Sequence, residues 1–310
     1  MSADRVAAMA PASIGNCAAG FDVLGHSFAG PSDRVVVTRA EAAGVKITAI
    51  HCCDAELPLD AERNTASRAV LELQQLAGVT ELGFAIEIHK GIPLASGMGG
   101  SAASAVAAVV AANALLPSPQ DTGVLYAAAC AGEAAASGAP HGDNVAPSLL
   151  GGLVIAPRTG APVCVPVPDW LHIGLVHPHC QLETRTSREV LQDPFPLPQV
   201  TAQLEGLAMV LAGCYQSDAD LLKRGLYDVL AEPRRAPLIP GFDAVKQAAL
   251  DCDALGASIA GGGPSVFAWF ASRAAAERGV AAMQSAFAQA SLQSDAFVSP
   301  VAGPKAEIVS

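Results

Sequence analysis

Positive charge is scarce in this sequence. Of 310 residues only 18 are Lys or Arg, against 29 Asp or Glu, giving a formal net charge of -11. Such a field repels polyanions and excludes nucleic acid and anionic membrane as general partners. Any phosphate must then be held by local devices: a helix N-terminus, backbone amides or a few placed arginines. Charged residues of both signs reach only 15% while hydrophobic ones make up 51%, which excludes a disordered or coiled-coil chain. Aromatics stop at 5%, so the core must be built from alanine and small aliphatics, with helices and strands in close approach.

Metal-binding cysteine patterns are also missing. Cys17, Cys52, Cys53, Cys130, Cys164, Cys180, Cys214 and Cys252 contain no C-x-x-C pair, which points to reduced thiols acting as small hydrophobes. His177-Pro178-His179 resembles a ligand pair but has no third ligand at a suitable spacing, and reads as the turn at a strand end. The N-terminus lacks the basic-then-apolar plan of a signal peptide, and a cytoplasmic location is expected. Ala102 to Leu116 is almost wholly apolar, but it is too short to span a bilayer comfortably and follows a glycine loop. A buried helix is the expectation.

About two domains are expected at roughly 150 residues each. Arg34–Thr38, Val45–Ile50, Phe84–Ile88 and Gly151–Ile155 read as strands, with helices over 65–77, 102–116 and 122–137. Pro11 to Asn16 reads as a turn. Four prolines between Pro157 and Pro168 mark a boundary, dividing the chain into 1–165 and 166–310. Beyond it, Leu171–Val176 and Val266–Phe270 are strand-like. Pro194–Pro198 is a rigid spacer, and helices are expected over 184–191, 204–214, 219–230, 242–252 and 273–290. Strands and helices alternate in both halves, so the class is α/β or α+β in two layers.

The chemistry is concentrated in glycine loops. Pro93-Leu94-Ala95-Ser96-Gly97-Met98-Gly99-Gly100-Ser101-Ala102-Ala103-Ser104 opens directly into a helix. Glycines let backbone N–H groups approach an anion, the helix start adds about half a positive charge, and serine hydroxyls suit a metal ion bridging phosphates. No G-x-x-x-x-G-K-[ST] occurs and no lysine is expected beside the loop, so this is not a Walker-A site. Gly97, Gly99 and Ala102 match G-x-G-x-x-A. However, His89 to Ser96 separates the loop from its strand, and Asp121 follows Pro117-Ser118-Pro119 instead of ending a strand, so the dinucleotide reading fails on context. A second loop, Gly256 to Ser265, carries three successive glycines before Pro264 and needs a backbone reason for them.

Three segments in this order, the Pro11-Ala12-Ser13 turn, the Pro93–Ser104 loop and the Ala260–Ser265 loop, resemble the GHMP kinase superfamily. Within it, Pro11 to Asp22, Gly138-Ala139-Pro140-His141-Gly142-Asp143-Asn144-Val145-Ala146-Pro147, Thr184 to Leu191 and Glu232 to Phe242 resemble the homoserine kinases. The resemblance covers nearly the whole chain. It implies an α+β fold of two domains, an N-terminal one with a left-handed βαβ unit and a ferredoxin-like C-terminal one. It also implies ATP- and Mg²⁺-dependent phosphorylation of the side-chain hydroxyl of L-homoserine, in threonine biosynthesis, by a homodimer.

By the same resemblance, the Pro93–Ala103 loop cradles ATP, with Asn64 on the adenine side, and Ser101 and Glu133 hold Mg²⁺. For a zwitterionic substrate, arginine forks suit the carboxylate, and Arg188 and Arg235 stand in the family's positions. Asp22 with Asn16 suits the ammonium. Asn144 meets the reacting hydroxyl, with His141, Asp143 and Thr184 nearby. Arg185 and Arg234 read as surface. Related sugar and mevalonate kinases use an aspartate as base, whereas here the hydroxyl's partner is asparagine. Positioning and electrostatics then carry the transfer, with Asp143 as the alternative base.

The chain also departs from the family pattern. Gly100 replaces the first serine of the usual Gly-Leu-Gly-Ser-Ser, Cys17-Ala18-Ala19 replaces Leu-Gly-Pro, and Pro237 stands where a second arginine is common. Two alternatives stay open: a GHMP kinase for another alcohol, such as mevalonate or a sugar, and a non-catalytic metabolite binder.

Overall fold

A computed structural model of the chain describes residues 4–51, 57–138 and 141–309. Met1 to Ala3, the adjacent Cys52 and Cys53, and Ala139 and Pro140 of the histidine-bearing motif lie outside the described residues.

The first half builds a mixed sheet. β1 (Arg5–Ile14), β2 (Leu24–Ala40), β3 (Gly44–His51), α1 (Thr65–Ala77) and β4 (Gly83–His89) lead into α2 (Gly100–Asn113), α3 (Thr122–Ser137) and α4 (Gly142–Leu150). β5 (Leu153–Ile155) and β6 (Val163–Val165) complete this half. The second half runs β7 (His172–Pro178), α5 (Thr184–Glu189), α6 (Leu197–Gln216), α7 (Ala219–Gly225), α8 (Glu232–Arg235) and α9 (Phe242–Leu250). It continues through β8 (Gly256–Ile259), β9 (Val266–Phe270), α10 (Arg273–Gln289), β10 (Ser294–Pro300) and β11 (Glu307–Val309).

The seven-stranded sheet has the order β11-β1-β2-β4-β3, with β5 on β2 and β6 on β5. Among the described residues, only β3 and β4 pair in parallel, through the crossover helix α1. The second sheet, β10-β7-β9-β8, is antiparallel throughout, with α9 and α10 packed on it. The last strand, β11, returns to pair with β1.

Small side chains decide the packing. In α2 every residue from Ala102 to Val109 is buried. A helix that is apolar all round must be enclosed on every side, and α2 lies among β1, β2, α1, α3 and α4. The two halves meet through a buried contact in which Trp269 Nε1 on β9 donates to His26 Nε2 on β2 at 3.1 Å.

Several boundaries differ from the sequence reading. Pro11-Ala12-Ser13 is strand, not turn: β1 continues to Ile14, and its register shifts between Pro11 and Ser13. That bulge is where a sheet tolerates a proline without an amide to donate. The turn comes later, where Asn16, Cys17 and Ala18 all take positive φ. α6 begins at Leu197, inside the expected proline spacer, because Pro196 and Pro198 occupy its N-cap and first turn. Gly256–Ile259, read as loop, is a buried strand. Among the described residues, no helix is long and apolar enough to cross a membrane.

Candidate active site

The phosphate loop is set by two left-handed glycines. Gly97 has φ +80° and Gly99 has φ +66°, and Gly99 is the N-cap of α2. A Cβ on Gly97 would meet the Ala260 carbonyl oxygen at 2.4 Å, and one on Gly99 would meet Ser13 Oγ at 2.3 Å. Here lies the reason for the second glycine loop. Ser265 donates to the Ser96 carbonyl from both N and Oγ, at 3.2 and 2.6 Å, so Gly261 to Ser265 braces the first loop from behind. The amides of Gly100, Ser101 and Ala102 in the first turn have no intrahelical partner, which makes this helix start an anion receptor. Ala103 N is already spent on the Gly99 carbonyl at 2.9 Å. The side chains of Ala102 and Ala103 face the core, and these two alone of the expected nucleotide residues do not line the cleft.

Below the loop sits a lysine that sequence reasoning missed. Lys90, three residues before Pro93, lines the cleft, bonds to Asp33, and donates to the Gly100 carbonyl at 2.8 Å and to Ser104 Oγ at 2.9 Å. Asp33 also takes the amides of Gly91 and Ile92. The expectation of no lysine beside the loop was wrong. The available signal was an uncommon lysine one residue beyond β4 and three ahead of the loop.

Opposite the loop, Asn16 joins three segments. Its amide donates to Asp143 Oδ2 at 2.9 Å, its Nδ2 to the Gly261 carbonyl at 2.7 Å, and its Oδ1 accepts from Asp22 N at 3.0 Å. Of the eight non-glycine residues with positive φ among the described residues, Asn16, Cys17, Ala18, Asp22 and Ala95 lie in these two loops. Backbone strain concentrated in this way is a mark of functional sites.

Charge is arranged around Asp143. It is buried, one oxygen holds Asn16, and its Oδ1 has no hydrogen-bond partner among the described residues. Burial, with Asp22 nearby, pushes its carboxyl up to about 6. Burial works against a charged His141, but the Glu133 carboxylate, 3.1 Å from its Nδ1, outweighs this and raises its pKa. Arg235 is 2% exposed and donates from Nε to the Ser187 carbonyl at 3.0 Å and from Nη1 to the Gly261 carbonyl at 2.9 Å. Burial, then the neighbouring Arg188, lowers it to about 10, so it remains charged at neutral pH. Both guanidinium groups flank the Phe21 ring.

The remaining expected residues lie on this same cleft: Asn64, Pro93, Leu94, Ala95, Ser96, Met98, Gly100, Ser101, Glu133, Asn144, Thr184 and Arg188. Asn64 also caps α1, accepting from Ala66 N at 3.0 Å. Asn144 Oδ1 accepts from Ser13 Oγ at 3.2 Å. Arg63, Ser104 and Gly262 line the cleft too and were not singled out. Arg185 pairs with Glu189 on the surface, and Arg234 fastens the proline segment through the Asp193 and Pro194 carbonyls. His177 binds Ser265 Oγ and His179 binds Asp295, so the two do not converge as ligands.

Residues 64–152 match the family model for the GHMP kinases N terminal domain, and residues 210–289 that for GHMP kinases C terminal. The chain belongs to the GHMP kinase family. This GHMP kinase is 52% identical over 308 residues to the homoserine kinase of Xylella fastidiosa (strain M12), covering 99% of this chain and 95% of that one. It is 53% identical over 302 residues to the homoserine kinase of Xanthomonas campestris pv. campestris (strain B100), covering 97% and 93%. The crystal structure of homoserine kinase from Cytophaga hutchinsonii superimposes with a TM-score of 0.94 at 40% identity, covering 100% of this chain and 98% of that one. The L. major mevalonate kinase complex with R-mevalonate shares the fold at a TM-score of 0.67 and 14% identity, covering 96% of each chain.

Proposed function

We propose that this chain is a homoserine kinase, transferring the γ-phosphoryl group of ATP to the side-chain hydroxyl of L-homoserine. One observation carries the reading beyond the family. A glycine-capped helix start faces an Arg188–Asp22–Arg235 cluster across one cleft, so a phosphate receptor is opposed by paired receptors for a zwitterion. A sugar or mevalonate would leave part of that charge, of which Arg235 is buried, unmatched. Relatives at 43–53% identity over nearly the full chain bear the same name.

In this reading, the amides at the start of α2 and the loop hold the phosphates, while Asn64 and its neighbours at the α1 start face the nucleoside. Ser101 and Glu133 offer a hydroxyl and a carboxylate, the hard oxygen donors that Mg²⁺ takes alongside water and phosphate. The metal would neutralise phosphate charge. Arg235, fixed by two carbonyls, and Arg188 receive the substrate carboxylate, and Asp22 receives the ammonium. Asn144 orients the hydroxyl. Asp143, poised near pH 6, balances Arg188 and His141 and can take the hydroxyl proton as it leaves. Asn16, with its side-chain atoms committed to neighbouring segments, positions Asp22 and Asp143. The division at about residue 165, the cytoplasmic location and the homodimer belong to the same reading, and light scattering of the purified chain tests the dimer.

Coupled ADP release with Mg²⁺-ATP and L-homoserine, D-homoserine, L-serine, mevalonate and galactose tests the function. Turnover confined to L-homoserine is expected. Turnover on mevalonate or galactose alone would discard the zwitterion site, and silence from folded protein on the whole panel would favour the metabolite-binding alternative.

A further inference from the structure

A second cluster lies on the opposite face of β4 from the cleft. β3 and β4 run parallel with His51 opposite His89. Along β4, Ile86 and Ile88 are buried, while Glu87 and His89 alternate onto the outer, half-exposed face. His51 arrives on that face as well, and the two imidazoles stack with centroids 4.7 Å apart and planes 22° apart. Glu87 Oε1 lies 3.1 Å from His51 Nε2 and 3.0 Å from His89 Nε2. At that distance the pair is an ion-pair contact only, and His89 Nε2 is a buried nitrogen with no hydrogen-bond partner among the described residues.

We propose that His51, Glu87 and His89 form a site for a borderline transition-metal cation, Zn²⁺ or a neighbour in its series, separate from the nucleotide cleft. The donors of all three lie within 4.8 Å of one another, and none of the three lines the cleft. Metal–nitrogen and metal–oxygen bonds of about 2.0–2.2 Å, opened at tetrahedral to octahedral angles, place two donors roughly 2.8–3.5 Å apart. Both imidazole–carboxylate separations fall in that range. Two imidazoles select zinc, nickel, cobalt or copper over the hard ions Mg²⁺ and Ca²⁺, which prefer all-oxygen sets.

Arg5 Nη2 lies 3.7 Å from Glu87 Oε2, a surface contact that leaves Oε1 to the two histidines. The overall charge of -11 draws cations to the surface. Three protein donors leave at least one coordination position for water, consistent with a His51 side chain that is 46% exposed. Because His51 and Glu87 come from different strands, the ion would clip the sheet-edge strand β3 to β4.

Zinc chloride titrated into the full chain by calorimetry, in buffer holding millimolar Mg²⁺, tests this. One equivalent should bind with a Kd tighter than roughly 100 µM. Replacing His51 by alanine, or by glutamine as a milder change, should weaken it by about tenfold or more. His89→Ala should do the same, and Glu133→Gln should not. Cobalt should give visible d–d absorption with the parent chain and lose it in the double histidine variant, while Mg²⁺-ATP turnover is unaltered in His51→Ala. Binding weaker than that threshold, binding that survives both histidine substitutions, or binding abolished by Glu133→Gln alone would overturn the site.

Discussion

Arg188 grips Asp22 with two hydrogen bonds, Nη1 to Oδ2 at 2.7 Å and Nη2 to Oδ1 at 2.6 Å, across 166 residues of sequence. The two side chains remain 34% and 41% exposed, so the pair adds little to stability. It is better suited to recognition. Under the proposed function, inserting an amino acid lengthwise would replace one ion pair with two, carboxylate on Arg188 and ammonium on Asp22, so that charge would not be left unmatched.

Arg188→Ala and Asp22→Ala should therefore each raise KM for L-homoserine about 100-fold, near 3 kcal/mol, with KM for ATP within about threefold of the parent. Unfolding free energies should move by less than about 1 kcal/mol. Steady-state kinetics and urea unfolding measure both. Unchanged KM with collapsed kcat in both variants would remove the pair from substrate binding.

Asp143 should set the acid limb of the pH profile. Its carboxyl titrates near 6 because burial and Asp22 resist the charge. As pH falls through that value the carboxylate is lost, and kcat/KM should fall with it. Asp143→Asn should abolish that limb and cost about tenfold or less at pH 8, whereas Arg235→Ala should cost about 100-fold or more. A collapse of turnover in Asp143→Asn with unchanged homoserine binding would make Asp143 the essential base.

The same residue makes a stability prediction of known sign. A carboxyl raised from 3.8 to about 6 holds its proton more tightly folded than unfolded. Its contribution is therefore full below about pH 4 and is lost as pH rises through 6. At pH 7.5 the ionised group costs about 3 kcal/mol. Asp143→Asn should recover much of that at pH 7.5 and little at pH 4, as urea unfolding at both values would reveal. A variant less stable than the parent at pH 7.5 would contradict the assignment.

Gly99 should be less replaceable than its exposure suggests. An added Cβ would strike Ser13 Oγ at 2.3 Å and Asn144 Oδ1 at 2.9 Å, in a left-handed conformation that alanine dislikes. Gly99→Ala should then displace Asn144, which the proposed function assigns to orienting the hydroxyl, lowering kcat about 100-fold or more in a chain that still folds. Gly138→Ala, at φ +75° with nothing within 4 Å of the added carbon, serves as the control. Equal losses in the two would mean that backbone strain alone is responsible.

Local chemistry was readable wherever one residue type decides the backbone. Asn64 before Thr65 and Gly78 after Ala77 mark the ends of α1 because capping is a short-range interaction, whereas Asp121, weighed only as a dinucleotide-site acid, is the N-cap of α3. α4 was read only as a motif, since Gly142, Asp143, Asn144 and Pro147 all disfavour helix. Packing against β1 and β2 overrides them. β10 and β11 were not expected because Ser294-Asp295 and Glu307 look like tail. Their partners, β7 and β1, lie far back in the chain, and pairing at that range leaves no local trace. In the cleft, residue types were legible, but the Lys90 brace and the Arg188–Asp22 pairing depend on tertiary placement.

His26 should make the chain acid-sensitive. Its Nε2 accepts from Trp269 Nε1 while Nδ1, at 2.9 Å, donates to the Ser27 carbonyl. Only the neutral ring with its hydrogen on Nδ1 satisfies both, because a proton on Nε2 would face the indole N–H. Complete burial lowers its pKa from 6.5 to about 4. The unfolded chain takes up this proton first, so stability is full above pH 6.5 and drains away as pH falls toward 4, by about 3 kcal/mol. His177, lowered to about 4 chiefly by burial, adds a slope of the same sign, and Asp143 opposes both over part of the window. Urea unfolding of the parent and of His26→Gln at pH 7.5 and pH 4.5 isolates the contribution. The parent's advantage should shrink by about 2–3 kcal/mol between the two values as its own histidine begins to charge. An advantage that is the same at both would mean that His26 stays neutral without cost, and that acid sensitivity arises elsewhere.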